Sequence, residues 1–455
     1  MSTQQNGIYD ARKLGYPKMF VLGAQHMFAM FGATVLVPAL TGLSVSATLL
    51  FAGIGTLLFH FLSKGKVPAF LGSSFAFIGG YAAIAPNGER ELLPYACLGV
   101  ACAGLLYLIM ALLIKVFGQK KVLRFFPPIV TGPIIIAIGL TLAGSAIDNC
   151  GTQWALAFIA IAVVVLCNIF GKGMVKIIPI ILGTVASYLA AVIFDLTMKT
   201  SYVDIESIKN AAWIGLPVDF KQDSIYAVLS APNKGLVITA VITIMPIALA
   251  TIIEHIGDIS AISSTTGRNY VEDPGLHRTL LGDGLATIIA SLCGAPANTT
   301  YGENTGVLSL TKVFDPRVVR IAAYMAIVFS FSPKFAAVIH SIPVATGGGI
   351  SLVLYGMISA VGVRNVVENS IDFSKARNVI VAALILGLSV GIKYSAAGSI
   401  NVNLGSMVIP LSGLAVGAFV GIVLNALLPN EQDDNVKGIR KDLKEVESEP
   451  IKIKK

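Results

Sequence analysis

The chain has 455 residues, of which 55% are hydrophobic and only 13% are charged, and its mean hydropathy is +0.79. Because a soluble domain carries about 25% charged residues, this composition excludes a soluble protein and predicts a polytopic membrane protein. The net charge of +8 does not indicate nucleic-acid binding, since the Lys and Arg residues lie mostly in short loops and in the tail. The cysteines and histidines show no metal-ligand spacing, so we expect no metal, no cofactor and no disulfide.

The apolar runs predict about fourteen membrane segments, because a hydrocarbon core of about 30 Å needs roughly 20 helical residues. The predicted segments are 19–39, 44–62, 68–84, 92–117, 126–147, 153–170, 173–197, 235–258, 279–295, 301–312, 318–340, 343–361, 378–392 and 406–428. The Lys and Arg residues are concentrated in the loops on the side of the N-terminus. The positive-inside rule therefore predicts that both termini are cytoplasmic and that the long loop 198–234 is outside.

Two of these segments do not have the pattern of a plain spanning helix. Gly72, Ser73 and Ser74 interrupt the third segment, and the tenth opens on Asn298-Thr299-Thr300 and continues with Gly302 and Glu303. Non-helical backbone survives in a membrane only where protein or a water-filled cavity satisfies its polar groups. Interrupted segments at matching places in two halves indicate the binding site of a transporter.

A short sequence motif that occurs twice supports a relation between two halves of the chain. Pro128-Ile-Val-Thr-Gly132 opens the fifth segment and Pro343-Val-Ala-Thr-Gly347 opens the twelfth, seven segments later. The interrupted segments, the third and the tenth, are also seven apart. Because seven is odd, the second half must be inverted relative to the first, which predicts two inverted seven-segment repeats.

Three carboxylates in apolar sequence are the candidate functional groups. Glu254 and Asp258 are spaced i and i+4, so they share one helix face, and Glu303 lies among glycines in the tenth segment. An acid at membrane depth is costly to bury and marks a substrate or ion path, so we expect these groups to bind protons. The alternatives are a wet inner mouth of the eighth helix for the first pair and a loop end for Glu303.

The residues around Glu303 suggest the ligand. Gly302 allows close approach of a ligand to the backbone and leaves its amide free to donate, so the pair suits a flat heterocycle with N–H donors and carbonyl acceptors. Phe75 and Tyr301, in the two interrupted segments, offer aromatic faces for stacking, with ordinary packing as the alternative. For His26, in the first segment, we expect a structural hydrogen bond rather than a ligand contact.

The chain resembles the nucleobase–ascorbate transporter family at these residues. Glu303-Asn-Thr-Gly-Val-Leu-Ser-Leu-Thr-Lys312 matches the family signature of an acid or amide, Asn-x-Gly, four residues, Thr and a basic residue. Further motifs resemble the bacterial uracil permeases: Gln25-His26, Phe31-Gly-Ala-Thr-Val-Leu-Val-Pro38, Gly72-Ser-Ser-Phe75, Glu254-His-Ile-Gly257, Asp273-Pro-Gly-Leu-His-Arg278 and Thr300-Tyr-Gly-Glu-Asn304. The likeness extends from about residue 15 to 430.

The resemblance implies an all-α fold of fourteen segments in two inverted repeats, with short antiparallel strands in segments 3 and 10. It implies a core domain, 19–117 and 235–340, that moves against a gate domain, 126–197 and 343–428. The cytoplasmic N-terminus 1–18, the outer loop 198–234 and the cytoplasmic tail 429–455 complete the chain. The family is usually dimeric, so a homodimer is expected.

The resemblance also implies roles for single residues. Glu254, Glu303 and the Gly302 amide would bind uracil, Phe75 and Ala33 would line the pocket, and Tyr301 and Ser74 would be near neighbours. Asp258, with Glu254 and Glu303, would couple a proton, and His26 and Asn304 would support the site. One departure is Asp258, where some uracil permeases have His and purine carriers typically have Asp. Glu303 favours uracil, because xanthine and urate carriers usually have Gln there.

These observations predict a proton-coupled uracil symporter in the plasma (inner) membrane, in contact with the lipid bilayer and not an enzyme. Sodium remains the alternative coupling ion, because carboxylates can hold either ion. The alternative substrates are xanthine and urate. An anion transporter of the same fold is a further alternative, although its site should be cationic rather than acidic. An enzyme would need a nucleophile or metal constellation, which the sequence does not present.

Overall fold

The computed structural model describes residues 7–124, 127–230, 232–404 and 407–429, and these residues are mostly helical. The α-helices are α1 Tyr16–Thr41, α2 Val45–Leu62, α3 Ile78–Ile84, α4 Leu93–Phe117, α5 Gln119–Leu123, α6 Pro128–Gly151, α7 Trp154–Phe170, α8 Met174–Ile177, α9 Pro179–Met198, α10 Ile205–Asn210, α11 Ile225–Ser230, α12 Lys234–Ile244, α13 Ile247–Thr266, α14 Leu276–Leu292, α15 Gly302–Thr311, α16 Pro316–Ser330, α17 Pro333–His340, α18 Val344–Glu368, α19 Ala376–Lys393 and α20 Gly413–Leu427. The strands are β1 Leu71–Ser73, β2 Asn298–Thr300, β3 Ser399–Leu404 and β4 Met407–Ser412. The predicted tail beyond residue 429 and residues 1–6 of the predicted N-terminus lie outside the described residues.

Several helices have the length and apolar composition of membrane spans. Among the described residues there are eight such spans, counting α12 and α13 together, or nine with the bent pair α16–α17. The protein is therefore a multi-pass membrane protein. The other predicted segments correspond to shorter or interrupted helices, so the count of fourteen segments stays a prediction.

The predicted strands in segments 3 and 10 are confirmed. Strands β1 and β2 pair antiparallel, with Leu71 opposite Thr300 and Ser73 opposite Asn298. Each has three residues and lies between a short non-helical connection and a new helical segment. The pair brings two halves of the chain, more than 200 residues apart, to one place in the core.

Two threonine side chains form hydrogen bonds with backbone groups at the outer edges of this strand pair. The Thr56 hydroxyl of α2 accepts from the Leu71 amide at 2.9 Å and donates to its carbonyl at 3.2 Å. The Thr287 hydroxyl of α14 does the same for Asn298, at 3.2 Å and 3.0 Å. An open strand edge is costly in a dry interior, and these hydroxyls remove that cost without a third strand.

The eighth segment is longer than predicted and is broken. The prediction placed one helix over 235–258, whereas α12 ends at Ile244 and α13 runs on to Thr266. Pro246, which has no amide hydrogen to donate, lies at the break. As a result Glu254 and Asp258 lie near the middle of α13, and not at the end of a helix.

Three other segment predictions need correction. Segment 11 is two helices, α16 and α17, bent by 90° at Phe331–Ser332. Segment 12 continues to Glu368, seven residues past its predicted end. In segment 14, predicted as a helix over 406–428, β4 occupies Met407–Ser412 and pairs antiparallel with β3, and α20 starts only at Gly413. This hairpin also corrects the all-α expectation, which allowed strands only in segments 3 and 10.

The helices pack as two groups. In the first group α14 packs on α2 and α4, α16 packs on α1 and α2, and α12 packs on α4. In the second group α18 packs on α6 and α7, α19 packs on α6 and α20, and α7 packs on α9. Small residues allow close approach within each group, as Gly104 and Gly284 do between α4 and α14 and Gly132 and Gly362 do between α6 and α18.

Candidate functional site

Helices α13 and α15 contact each other and bring the three predicted carboxylates together. Glu254 is exposed, Asp258 is half-buried, and Glu303 is half-buried in the first turn of α15. The charge of Glu303 acts on both Glu254 and Asp258, so the three groups form one electrostatic cluster. The positive end of the α15 dipole favours the carboxylate of Glu303, which is the second residue of that helix.

The strand β2 supplies a hydrogen-bond partner to this cluster. The Thr300 hydroxyl donates to Asp258 Oδ2 at 2.7 Å. Thr300 is the last residue of β2 and is buried, so the strand pair fixes the position of this donor relative to α13. The sequence interpretation did not assign a role to Thr300, although its place directly before Tyr301-Gly302-Glu303 was a usable signal.

Replacing Thr300 by Val removes the donor to Asp258 and keeps the β-branched shape that a strand favours. The loss of one partner of a buried polar pair costs about 1–3 kcal/mol, so we expect T300V to lower the thermal melting temperature of the detergent-solubilised protein. T300S, which keeps the hydroxyl, should melt close to the parent protein. Equal melting temperatures for T300V and T300S would show that this hydrogen bond contributes nothing.

The backbone of α15 and α13 leaves open space beside the carboxylates. A Cβ atom built on Gly302 would have no heavy atom within 4 Å, and the same holds for Gly257 on α13 and Gly306 on α15. Gly302 is the first residue of α15, so its amide hydrogen has no acceptor within the helix. Within the part of the chain that the structure describes, the Gly302 amide therefore lies at an open position directly before Glu303, and we call the space beside these two residues the cleft.

A cavity of about 470 Å³ adjoins this cleft. Ala29 of α1 lines it from the first helix group, together with Glu303 and Gly306 of α15, which packs on α1. Ile350 and Leu354 of α18 line it from the second group. Its walls continue past Asn168 and Lys176 to the end of the molecule where α7 and α15 end. At the other end Leu36, Ile180, Ile350 and Leu354 form an apolar cluster against which Phe75 packs.

Tyr301 lies behind the cleft. Its hydroxyl donates to the Ser73 carbonyl at 2.8 Å and lies 3.3 Å from the Thr34 hydroxyl, which donates to it. The ring occupies the space beside Gly72, because a Cβ atom at that glycine would overlap it. The Tyr301 side chain therefore joins β1, β2 and α1, and its hydroxyl is used within the protein.

The other predicted pocket residues occupy different depths. Ala33 is completely buried in a cluster with Met30 and Tyr301, and half-buried Phe75 packs against this cluster. Ser74 is buried, and its hydroxyl has no hydrogen-bond partner within the described part of the chain. Of these residues, Phe75 has the exposure that contact with a ligand requires.

His26 and Asn304 form a buried pair between α1 and α15. Asn304 Nδ2 donates to the His26 carbonyl at 3.0 Å and lies 3.1 Å from His26 Nδ1. Both side chains are 1% exposed, so they lie away from the cleft. This contact orients the first turn of α15, on which Glu303 lies.

A second buried pair lies behind the carboxylates and was missed by the sequence interpretation. His255 Nδ1 is 2.8 Å from Asp283 Oδ2, and neither side chain is exposed. His255 follows Glu254 directly on α13, and Asp283 lies on α14. An acid in the apolar run 276–292 was the signal, because a buried charge in a membrane protein requires a partner.

Comparisons with known proteins identify the family of this chain. The family model Xan_ur_permease, described as "Permease family", matches residues 17–398. The uracil permease of Bacillus subtilis (strain 168) is 38% identical over 426 residues, which cover 90% of this chain and 92% of that protein. The probable uracil permease of Haemophilus influenzae is 37% identical, covering 92% and 96% of the two chains.

Solved structures share the fold at low sequence identity. SLC26A9 superposes with a TM-score of 0.62 at 12% identity, covering 92% of this chain and 66% of that one. The transmembrane domain of the cyanobacterial bicarbonate transporter BicA superposes with a TM-score of 0.55 at 14% identity, covering 92% and 99%. Family membership rests on the sequence matches, which also show that the chain is similar to the bacterial uracil permeases. The chain belongs to this permease family, the nucleobase–ascorbate transporters, whose members are transporters rather than enzymes.

Proposed function

We propose that the protein is a proton-coupled symporter that imports uracil across the plasma membrane by alternating access. The observation that carries this proposal is the convergence of Glu254, Asp258 and Glu303 beside the open Gly302 amide. Uracil offers two ring N–H donors and two carbonyl acceptors, which complement carboxylates and a backbone amide. The similarity to uracil permeases over about nine-tenths of the chain supports the same substrate.

In this proposal Glu303 and Glu254 accept hydrogen bonds from the uracil ring and the Gly302 amide donates to a carbonyl. Phe75 covers one face of the ring. Ala33, Ser74 and Tyr301 shape the wall behind it, and His26 with Asn304 holds α15 in place. Charged acceptors form stronger hydrogen bonds than neutral ones, so two carboxylates provide both affinity and orientation.

Asp258 is proposed as the coupling group, together with Glu254 and Glu303. Three carboxylates in one cleft repel each other, so uptake of a proton lowers the cost of enclosing the site. Thr300, which donates to Asp258, holds that carboxylate toward the strand pair. Loss of the proton inside the cell then restores the repulsion and favours release of the substrate.

The two helix groups support a moving core domain and a gate domain. The core would comprise 19–117 and 235–340 and the gate 126–197 and 343–428. The cavity lies between them, because Glu303 and Gly306 line it from one side and Ile350 and Leu354 from the other. With the N-terminus in the cytoplasm, the cavity opens inward and the apolar cluster around Phe75 closes it outward.

Inverted repeats of seven segments are proposed for the arrangement of the chain. Thr56 and Thr287 support this, because each bonds both backbone groups of the first residue of its strand, from the helix that precedes the strand. The fourteen segments, the cytoplasmic termini and a homodimer complete this proposal.

The test is uptake of radiolabelled uracil into proteoliposomes, with imposed proton or sodium gradients. We expect accumulation driven by an inward proton gradient, no added effect of sodium, and little competition from excess xanthine. Strong competition by xanthine would instead assign the purine alternative, which Asp258 favours by resemblance. Absence of uracil uptake in every gradient would reject the proposed substrate.

Asp258 provides the test of coupling. Asn at position 258 still accepts a hydrogen bond from Thr300 but does not bind a proton near neutral pH, so D258N is expected to abolish gradient-driven accumulation. Exchange of external for preloaded uracil needs no net proton movement, and we expect it to persist. Accumulation by D258N equal to that of the parent protein would contradict the assigned role.

A further inference from the structure

One segment of the loop between α9 and α12 displays large apolar side chains at the molecular surface. Trp213, Ile214 and Leu216 are 75%, 84% and 87% exposed. Such a cluster is unfavourable in water, and it lies outside the helices that carry the proposed transport site.

The backbone around these side chains is held firmly. The Lys334 amide donates to the Ala212 carbonyl and the Gly215 amide donates to the Phe331 carbonyl, both at 2.9 Å. Val218, next after Pro217, is buried against Phe51 and other residues of α2 and α14. The exposure of the three apolar side chains is therefore imposed by a fixed backbone.

The segment is continuous with a surface that faces lipid. It bonds to the bend between α16 and α17, where Phe331 is exposed. On α16, Tyr324 and Val328 are spaced i and i+4 on one face and are 54% and 71% exposed, as expected for a spanning helix in contact with acyl chains. The apolar cluster thus lies where that face reaches the membrane boundary.

The chemistry of the neighbours fits the same location. Lys334 Nζ lies 5.0 Å from the centroid of the Trp213 ring and donates to the Lys209 carbonyl at 3.1 Å. An indole with an adjacent lysine is typical of the headgroup region, where Trp rings anchor proteins and Lys side chains reach the polar layer.

We propose that residues 211–217 form a membrane-interface anchor, with Trp213, Ile214 and Leu216 inserted between the headgroups and the upper acyl chains. The occupant of this surface is the phospholipid bilayer. Because the anchor is bonded to the α16–α17 bend, it sets the depth of that end of the first helix group. This inference is independent of the substrate and of the coupling ion.

The chain has only two tryptophans, so W154F leaves Trp213 as a single reporter. The variant is placed in phosphatidylcholine nanodiscs, which expose both faces, with or without bromine near the top of the acyl chains. We expect strong loss of Trp213 emission in brominated discs and weak quenching by aqueous iodide. W213F, which keeps Trp154 at the exposed start of the apolar helix α7, is the positive control for lipid quenching.

A second variant tests insertion without changing the reporter. I214N/L216N in the W154F background is expected to reduce quenching by brominated lipid and to increase quenching by iodide. L229N, at another exposed apolar position of the same loop, should leave both values unchanged. Trp213 that is open to iodide and unaffected by brominated lipid would overturn the proposal in favour of a water-facing loop. Protection from both quenchers would overturn it in favour of a protein partner, such as a second copy of this chain.

Discussion

Glu303→Gln is expected to weaken uracil binding roughly 10- to 150-fold, because a hydrogen bond to a charged group contributes about 1.5–3 kcal/mol and each 1.36 kcal/mol is a factor of ten. Gln matches Glu in size, but it replaces the charged acceptor that the proposed function places against a ring N–H of uracil with a neutral amide, which has only one acceptor oxygen. The side chain lines the cavity and is half-buried, so its replacement acts at the site. Equilibrium binding of radiolabelled uracil to the purified protein measures the effect.

The matched control for this variant is Glu272→Gln, which removes an acid from the loop between α13 and α14. Glu272 is exposed and lies outside the described cleft, so E272Q should bind uracil as the parent protein does. Xanthine binding by E303Q would be informative as well, since purine carriers usually have Gln at the matching position. Unchanged uracil affinity in E303Q would remove Glu303 from the proposed site.

Gly72→Ala is expected to destabilise the fold around the strand pair. The new methyl group would overlap the Tyr301 ring and come within 2.8 Å of the Thr34 hydroxyl. The ring cannot move freely, because its hydroxyl is bonded to the Ser73 carbonyl and to Thr34. Overpacking of this kind costs about 1–3 kcal/mol, so G72A should melt at a clearly lower temperature in detergent.

Gly302→Ala is the control of the same chemistry at an open position. Its methyl group would meet no heavy atom within 4 Å, so we expect G302A to melt like the parent protein. The methyl group projects into the cleft proposed for the substrate, and uracil uptake should therefore fall while stability is kept. Equal melting temperatures for G72A and G302A would show that close packing of Gly72 against the Tyr301 ring does not contribute to the stability of the fold.

Local patterns were enough to predict the elements whose cause is local. Long apolar runs identified most spanning helices to within a few residues, because burying apolar side chains in lipid requires such runs. The Gly72-Ser73-Ser74 and Asn298-Thr299-Thr300 interruptions predicted non-helical backbone in two segments, since small and polar residues in an apolar run do not favour a plain helix. The family resemblance, and not the local pattern, implied that this backbone forms two paired strands. The i and i+4 spacing likewise placed Glu254 and Asp258 on one helix face.

Elements that depend on distant partners were not predicted. Strand β4 was predicted as the start of segment 14, because its residues before α20 are mostly apolar and only their pairing with β3 distinguishes them from a helix. Strand β3 lies in the predicted connection between segments 13 and 14. The bend at Phe331–Ser332 is likewise accompanied by backbone hydrogen bonds to the distant residues Ala212 and Gly215.

The sequence by itself determined that this is a multi-pass permease with acidic residues in apolar segments, because composition, hydropathy and motif spacing are properties of the chain alone. Only the tertiary structure decided that Thr300 donates to Asp258, that Tyr301 fills the space beside Gly72, and that His255 meets Asp283. The physical reason is that these contacts join residues from 28 to more than 200 positions apart. Their partners are chosen by the packing of α13, α14, α15 and the strand pair, and no local pattern encodes that choice.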